Sequence, residues 1–251
     1  MKQEIEIGFD DYNEFNAERA VTNEKYRTAY YLCKRWLDIF VAVSVLIILS
    51  PLIILIALLI KIDSKGPAFY KQERVGTKRI VRYGESYWET VNFTCYKFRT
   101  MASNSDPSLH QAYIRALINN DDEEMTALQG KETSEKKLVN DPRVTRVGRI
   151  LRKTSLDELP QFWNILTGDM SLVGPRPPIP YEVELYRPWH WQRFQASQGL
   201  TGLWQVTARS SASFDEMVEL DIQYTQKQSF WLDLKIILKT PLTVINGKGA
   251  H

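Results

Sequence analysis

The sequence predicts a mainly α-helical protein carrying one small β-hairpin and a membrane-embedded helix that breaks near its middle. Three observations predict it. Residues 39–60 contain no charged side chain and reach the length of about 20 apolar residues that crosses a bilayer. Two segments rich in β-branched and aromatic residues, 79–83 and 87–98, flank Gly84-Glu85-Ser86, the pattern of a hairpin. Residues 214–224 and 230–238 read as amphipathic helices.

Composition limits the chemistry. The 251 residues carry 32 Lys and Arg against 30 Asp and Glu, a formal charge of +2. That length can bury a core, and the balance excludes a globally basic nucleic-acid coat or an acidic disordered chain. Apolar residues make up 44% and mean hydropathy is −0.31. These values of an ordinary globule conceal how unevenly the apolar residues are placed. Two cysteines, Cys33 and Cys95, and three histidines, His110, His190 and His251, form no CxxC or HExxH spacing, which argues against zinc. An enzyme built from this chain must work with carboxylates and cations.

Taken in order, residues 1–30 are polar and acidic, with Glu4, Glu6, Asp10, Asp11, Glu14 and Glu18. They lack the cationic start and short apolar run of a secretory signal and read as a surface helix or loose tail. The apolar run follows. A buried helix of a soluble protein is rarely apolar on every side, so membrane insertion is expected. Ser50-Pro51 lies near its midpoint. Proline removes a backbone hydrogen bond there and forces a kink, while the Ser50 hydroxyl can bond a freed carbonyl. Cations flank both ends, Lys34 and Arg35 before, Lys61 and Lys65 after, so charge gives no orientation. A kinked spanning helix and a helix that dips in and returns both fit.

Beyond Gly66-Pro67, a turn signal, the chain reads as a folded polar domain. Residues 105–140 suit helices and loops, with Asp121-Asp122-Glu123-Glu124 as a solvated acidic face. Tyr186, Trp189, Trp191 and Phe194 alternate with Arg187, His190 and Arg193. Such aromatics favour a membrane interface, where neighbouring arginines meet lipid phosphate. A core helix with surface arginines is the plainer alternative. The second amphipathic helix ends before Pro241, and Lys235 and Lys239 interrupt its apolar run. With Trp189 and Trp191 it is the candidate for an interfacial amphipathic element.

The candidate chemistry lies in 140–178. Arg143, Arg146, Arg149 and Arg152 recur every third residue, with Lys153 next, and neighbour one another on a helix surface. Most form a solvated stripe; one or two are free to converge on a phosphate. Ser155-Leu156-Asp157-Glu158 has capping-box spacing, with Ser155 as N-cap. Capping accounts for Glu158 but not for a second acid at Asp157. Two carboxylates at a phosphate-attracting helix N-terminus also suit a Mg²⁺ site or an anionic nucleophile. Both readings stand. In 168–177, two glycines and flanking prolines stiffen the loop around Arg176, suiting it to bidentate phosphate recognition. Lys97 and Arg99 form another cationic pair at a strand end.

An ordered series of motifs runs through the chain: QERVG at 72–76, YKFRTM at 96–101, NDPRVTRVG at 140–148, LRKTSLDELPQFWNIL at 151–166, GDMSLVGPRP at 168–177 and GLTGLWQVTARS at 199–210. With the apolar segment broken at Ser50-Pro51, this series resembles the bacterial sugar transferase family, the monotopic polyprenyl-phosphate phosphoglycosyl transferases. The resemblance covers residues 34–246. It implies a polar N-terminal extension at 1–33, a re-entrant membrane helix-break-helix at 34–65, and a cytosolic catalytic domain with amphipathic helices at 66–251.

The activity implied is transfer of a sugar 1-phosphate from a UDP-sugar to polyprenyl (undecaprenyl) phosphate, releasing UMP, through a covalent phosphosugar on Asp157. Glu158 is implied to assist and, with Asp157, to hold Mg²⁺. Arg152 and Arg176 match phosphate-gripping cations, and Lys97 and Arg99 are further phosphate-binding candidates. The implied partners are the donor, the lipid acceptor and membrane lipid, at the cytoplasmic face of the bacterial inner membrane, in exopolysaccharide or lipopolysaccharide assembly. A homo-oligomer is compatible with it, and no nucleic acid is expected.

The stretches 77–95 and 102–139 exceed those of the smallest members, so a hairpin extension is expected. Gln198-Gly199 stands where Pro-Gly is common, and the chain resembles the catalytic core without a large preceding domain. No motif specifies the sugar. The alternative is a membrane-tethered scaffold that binds lipid or nucleic acid through its arginine stripe.

Overall fold

The apolar run folds as two helices. A computed structural model describes residues 24–82, 85–102, 108–129, 143–208 and 212–245. In it α1 (Glu24–Ile48) and α2 (Ser50–Asp63) meet at a 62° bend. The expected serine back-bond is present: Ser50 Oγ donates to the Ile47 carbonyl at 2.8 Å, easing the backbone group that Pro51 orphans. Among the described residues no single helix is long and apolar enough to cross a membrane, but the bent pair passes that test together. The tail expected over 1–30 lies, up to residue 23, outside the described residues. From Glu24 the chain is already helical.

The cations that precede the apolar run have protein partners of their own. Lys34 is buried and paired with Asp233 at 2.8 Å. Arg35 donates to the carbonyls of Ile165 and Leu166. Both cations bind α1 to the rest of the protein. The outer face of the pair stays apolar, with Trp36, Phe40, Ile47, Ile54 and Ile62 exposed.

The hairpin is longer than the sequence pattern marks. Strands β1 (Phe69–Arg82) and β2 (Glu85–Phe98) pair antiparallel over fourteen residues each. The first strand is missed before Arg79 because Lys71, Glu73, Arg74 and Lys78 break the apolar alternation, while pairing with β2 imposes the extended form. Next come α3 (Ser108–Ile118) and α4 (Asp122–Gln129). Their acidic run is exposed as expected, and Asp121 caps α4 by accepting from the Glu124 amide.

The chain continues through α5 (Arg146–Thr154), a 3-10 turn at Leu156–Glu158, α6 (Gln161–Thr167), β3 (Ser171–Val173) and α7 (Pro180–Val183). A 3-10 segment (Pro188–Phe194), β4 (Gly199–Thr201), α8 (Leu203–Thr207), α9 (Phe214–Lys227) and α10 (Phe230–Ile245) complete it. β3 and β4 form a short parallel pair, Ser171 opposite Gly199 and Val173 opposite Thr201. The main core gathers Phe93 and Cys95 of the hairpin, Ile165 of α6, Val173 of β3, Tyr224 of α9 and Ile236 of α10. Each large apolar side chain buried there contributes roughly 1.5–3 kcal/mol. A mainly helical protein with a small hairpin is what the sequence predicts.

Two helical expectations change. The aromatic–arginine segment is not an interfacial amphipathic helix. His190, Arg193 and Phe194 are buried, Trp189 packs into the α3–α9 core, and Arg193 pairs with buried Asp221 rather than meeting lipid. An arginine so fully enclosed needs that carboxylate. The last helix runs through Pro241 to Ile245 instead of ending before it. Its Asp233 and Ile236 face inward, while Trp231, Leu238 and Leu242 leave an exposed apolar stripe.

Candidate active site

The end of β2 organises the site. The amide of Thr145 donates to the Thr100 carbonyl, and Thr145 caps α5 by accepting from the Gly148 amide at 3.0 Å. A Cβ at Gly148 would collide with the Thr100 carbonyl oxygen, so only glycine lets α5 approach the strand this closely. That approach sets Arg152 Nε 3.0 Å from Thr100 Oγ1, at the near end of the arginine stripe. Arg146 and Arg149 point to solvent, as a solvated stripe should.

After α5 the chain reverses at Ser155, whose φ of 56° is left-handed. The capping-box expectation fails here. Ser155 ends α5 and leads straight into the 3-10 turn, its side chain caps nothing, and Glu158 has other partners. Glu158 Oε1 accepts from Lys97 Nζ at 3.0 Å and from Arg176 Nη2 at 3.1 Å. The expected helix N-terminus is absent too, because Asp157 and Glu158 sit in a three-residue 3-10 turn and α6 begins only at Gln161. An anion at this turn would be met by side chains rather than by a helix N-terminus.

Asn164 fixes α6 against β2. Its carboxamide donates to the Thr94 carbonyl at 2.7 Å and accepts from the Tyr96 amide at 3.0 Å, replacing two strand partners at once. This holds the dyad turn beside Lys97. Arg176 arrives from the loop after β3. There a Cβ at Gly174 would overlap the Ser197 carbonyl, and the Gly174 and Gly199 amides donate to the carbonyls of Thr201 and Pro175.

Lys97, Arg152 and Arg176 therefore surround the dyad, whereas Arg99 does not. Arg99 is buried, and its guanidinium donates to the carbonyls of Ser64 and Lys65 at the end of α2. It holds the end of α2, away from the dyad. The carboxyl pKa values of the two acids shift in opposite directions. Burial opposes ionisation of Glu158, but Lys97 and Arg176 outweigh it and hold its carboxyl well below the usual carboxylate range. For Asp157 burial dominates and pushes the carboxyl up, with the charge of Glu158 adding and Lys97, Arg152 and Arg176 opposing. No hydrogen bond to a described residue engages the Asp157 carboxylate. A buried carboxyl left without a hydrogen-bond partner beside three cations is a group that chemistry on an anion could use.

Among the described residues no three His, Cys, Asp or Glu side chains cluster as a metal cage. Mg²⁺ needs less, since one or two carboxylates and the substrate's own phosphates suffice. Asp157 and the unshared oxygen of Glu158 are a donor set of that kind. Sequence reasoning missed Asn164, although it lies inside a quoted motif, because no local pattern marks a carboxamide that replaces strand partners.

The family model for bacterial sugar transferases matches residues 29–247. A galactosyl transferase, CpsE, of Streptococcus agalactiae is 41% identical over 227 residues, 90% of this chain and 45% of that protein. An undecaprenyl-phosphate galactose phosphotransferase of Salmonella typhimurium is 40% identical, across 93% of this chain and 44% of its own length. This chain thus spans less than half of either protein. The exopolysaccharide production protein ExoY of Rhizobium meliloti is 40% identical over 88% of both chains. With the dyad and its cations standing on the matched residues, the chain belongs to the bacterial sugar transferase family.

Proposed function

We propose that the chain transfers a sugar 1-phosphate from a UDP-sugar to polyprenyl phosphate, with Asp157 as nucleophile. One observation carries the reading: Glu158 is held ionised by Lys97 and Arg176, while the adjacent Asp157 carboxylate is left without a described partner. A dyad built for capping or for plain ion pairing would engage both acids.

On this reading an Asp157 oxygen attacks the sugar-bearing phosphorus of the donor. A P–O bond forms, the bond to the UMP oxygen breaks, and UMP leaves with that electron pair. An oxygen of the lipid phosphate then attacks the same phosphorus and returns Asp157 to its carboxylate. Splitting the transfer this way keeps two polyanionic substrates from having to meet. Arg176, a third exposed at its side chain, and Lys97 face the transferring phosphoryl group, where stabilising charge is the protein's main task. Mg²⁺, held by Asp157 and Glu158 with the donor's phosphates, would add neutralising charge.

The bent pair is read as re-entrant, entering one leaflet from the cytoplasmic side. The 62° bend and the outward apolar residues support it. Cysteine labelling at residues 2 and 251 then finds both on one side; labelling on opposite sides selects a spanning helix. For the chemistry, detergent-solubilised protein is incubated with Mg²⁺, polyprenyl phosphate and a panel of UDP-sugars. UMP release identifies the sugar. Asp157→Asn abolishes release and leaves no labelled phosphosugar on the protein, and full activity in that variant ends the reading.

A further inference from the structure

The loop carrying Arg176 is gripped from behind by buried cations. The carbonyl of Val173 accepts from Lys34 Nζ at 2.8 Å, that of Arg176 from Arg193 Nη2 at 3.1 Å, and that of Pro177 from Arg74 Nη1 at 2.7 Å. All three cations are buried, and each is itself fixed. Lys34 pairs with Asp233. Arg193 pairs with Asp221 and donates to the Tyr186 hydroxyl. Arg74 donates twice to the Gln72 carboxamide.

Two of these bonds fall on successive carbonyls, those of Arg176 and Pro177. Holding both fixes the peptide planes on either side of Pro177, so the peptide leaving Arg176 cannot turn without breaking a buried charge-assisted bond. A planar guanidinium suits this, because one fork can serve a carboxylate and a carbonyl together. The arrangement also gives the QERVG motif a task, since Gln72 and Arg74 both belong to it. Neither Arg74 nor Arg193 hydrogen-bonds the dyad; Arg176 does.

We propose that Arg193 and Arg74 are positioning residues, which hold the carbonyls of Arg176 and Pro177 and thereby aim the Arg176 guanidinium at Glu158 and the transferring phosphoryl group. The phosphoryl part rests on the function proposed above; the clamp rests on the geometry alone.

The test is a double-mutant cycle on the solubilised full chain. Lysine retains charge but loses the fork, so Arg193→Lys lowers kcat/KM by roughly 10- to 100-fold, the range that a small misplacement of a catalytic group produces. In an Arg176→Ala background the same change costs less than about twofold, because the residue it aims is gone. Losses that multiply in the double variant overturn the proposal. Arg74→Lys is read in the same way and decides the matter if Arg193→Lys does not fold. Hydrogen exchange supplies a readout without turnover: the amides of Gly174 and Gly199, bonded across this loop, exchange faster in either lysine variant. Unchanged exchange in both rejects the clamp. A wild-type chain that turns over no UDP-sugar rejects the proposed function instead, and leaves the exchange result to judge the clamp.

Discussion

The Lys34 ammonium lies 2.8 Å from the Asp233 carboxylate, with both side chains almost wholly enclosed. It joins α1 to α10, and Tyr30 and Tyr224 donate to the same carboxylate. Removing one partner of such a pair leaves an uncompensated buried charge. Asp233→Asn therefore costs roughly 3–5 kcal/mol of stability, measured by chemical denaturation in detergent. Replacing both partners by apolar residues, Lys34→Met with Asp233→Leu, recovers most of that loss. A double variant no more stable than the single one contradicts the argument.

Lys97 is the less exposed of the two cations on Glu158. Lys97→Met leaves Arg176 as the one remaining ion-pair partner of Glu158 among the described residues and removes a positive group from the phosphoryl path. Loss of one preorganised charge-stabilising donor costs roughly 10²- to 10³-fold in kcat. Steady-state UMP release measures it, and a change within twofold removes Lys97 from the machinery.

The charge state of Asp157 predicts a pH profile. Attack requires the carboxylate, and burial raises its pKa, so kcat/KM declines on the acid side starting above the range near 3.9 where an ordinary aspartate titrates. Glu158, held below that range, adds no limb there. The linkage has a matching sign. A raised folded-state pKa means the folded protein binds this proton more tightly than the unfolded chain, so stability from Asp157 falls as pH rises through the raised value. Asp157→Asn accordingly melts higher than wild type at pH 7, and the gap closes towards acid. An acid limb at the ordinary aspartate value, or a variant of lower Tm at neutral pH, argues against this assignment.

Ser155 holds a left-handed conformation at the turn into the dyad. A non-glycine residue there stores roughly 1–3 kcal/mol, most for a β-branched side chain. Ser155→Gly keeps both fold and activity, whereas Ser155→Val lowers Tm and transfer together. Thermal melts with parallel assays check this. Were Ser155 a helix cap, Ser155→Ala would cost about 1 kcal/mol; its side chain caps nothing, so little change is expected.

Much of the fold was legible because periodicity and punctuation are local. The hairpin, the bend at Ser50-Pro51 and the exposed acids of 121–124 each follow from residues within a few positions of one another. The dyad and three of its cations were legible through motif order. What stayed hidden depends on partners far along the chain. Lys34 looked only like a flanking charge because Asp233 lies 199 residues away. Arg193 looked like a surface cation because Asp221 is 28 positions on and in another helix. Arg99 is only two positions from Lys97, but it lies just past the end of β2, where its guanidinium meets the carbonyls at the end of α2. Ser155 and Glu158 carry the spacing of a cap, but spacing does not reveal a backbone reversal between them.

The inward anchors of α1 also fix its phase about its own axis. Lys34, Asp38 and Ala42 face the protein, with Asp38 accepting from the Leu172 amide, while Trp36, Phe40 and Ile47 face out. Each helical residue advances the face by about 100°. One residue inserted between Ala42 and Ile47 would thus turn the bend by that angle against the anchors and pull α2 off its own contacts, where Ile56 and Ile60 are buried beside Phe98 and Leu151. The direction of the apolar bend is therefore gripped from both sides, by Lys34 and Asp38 on α1 and by Arg99 at the end of α2.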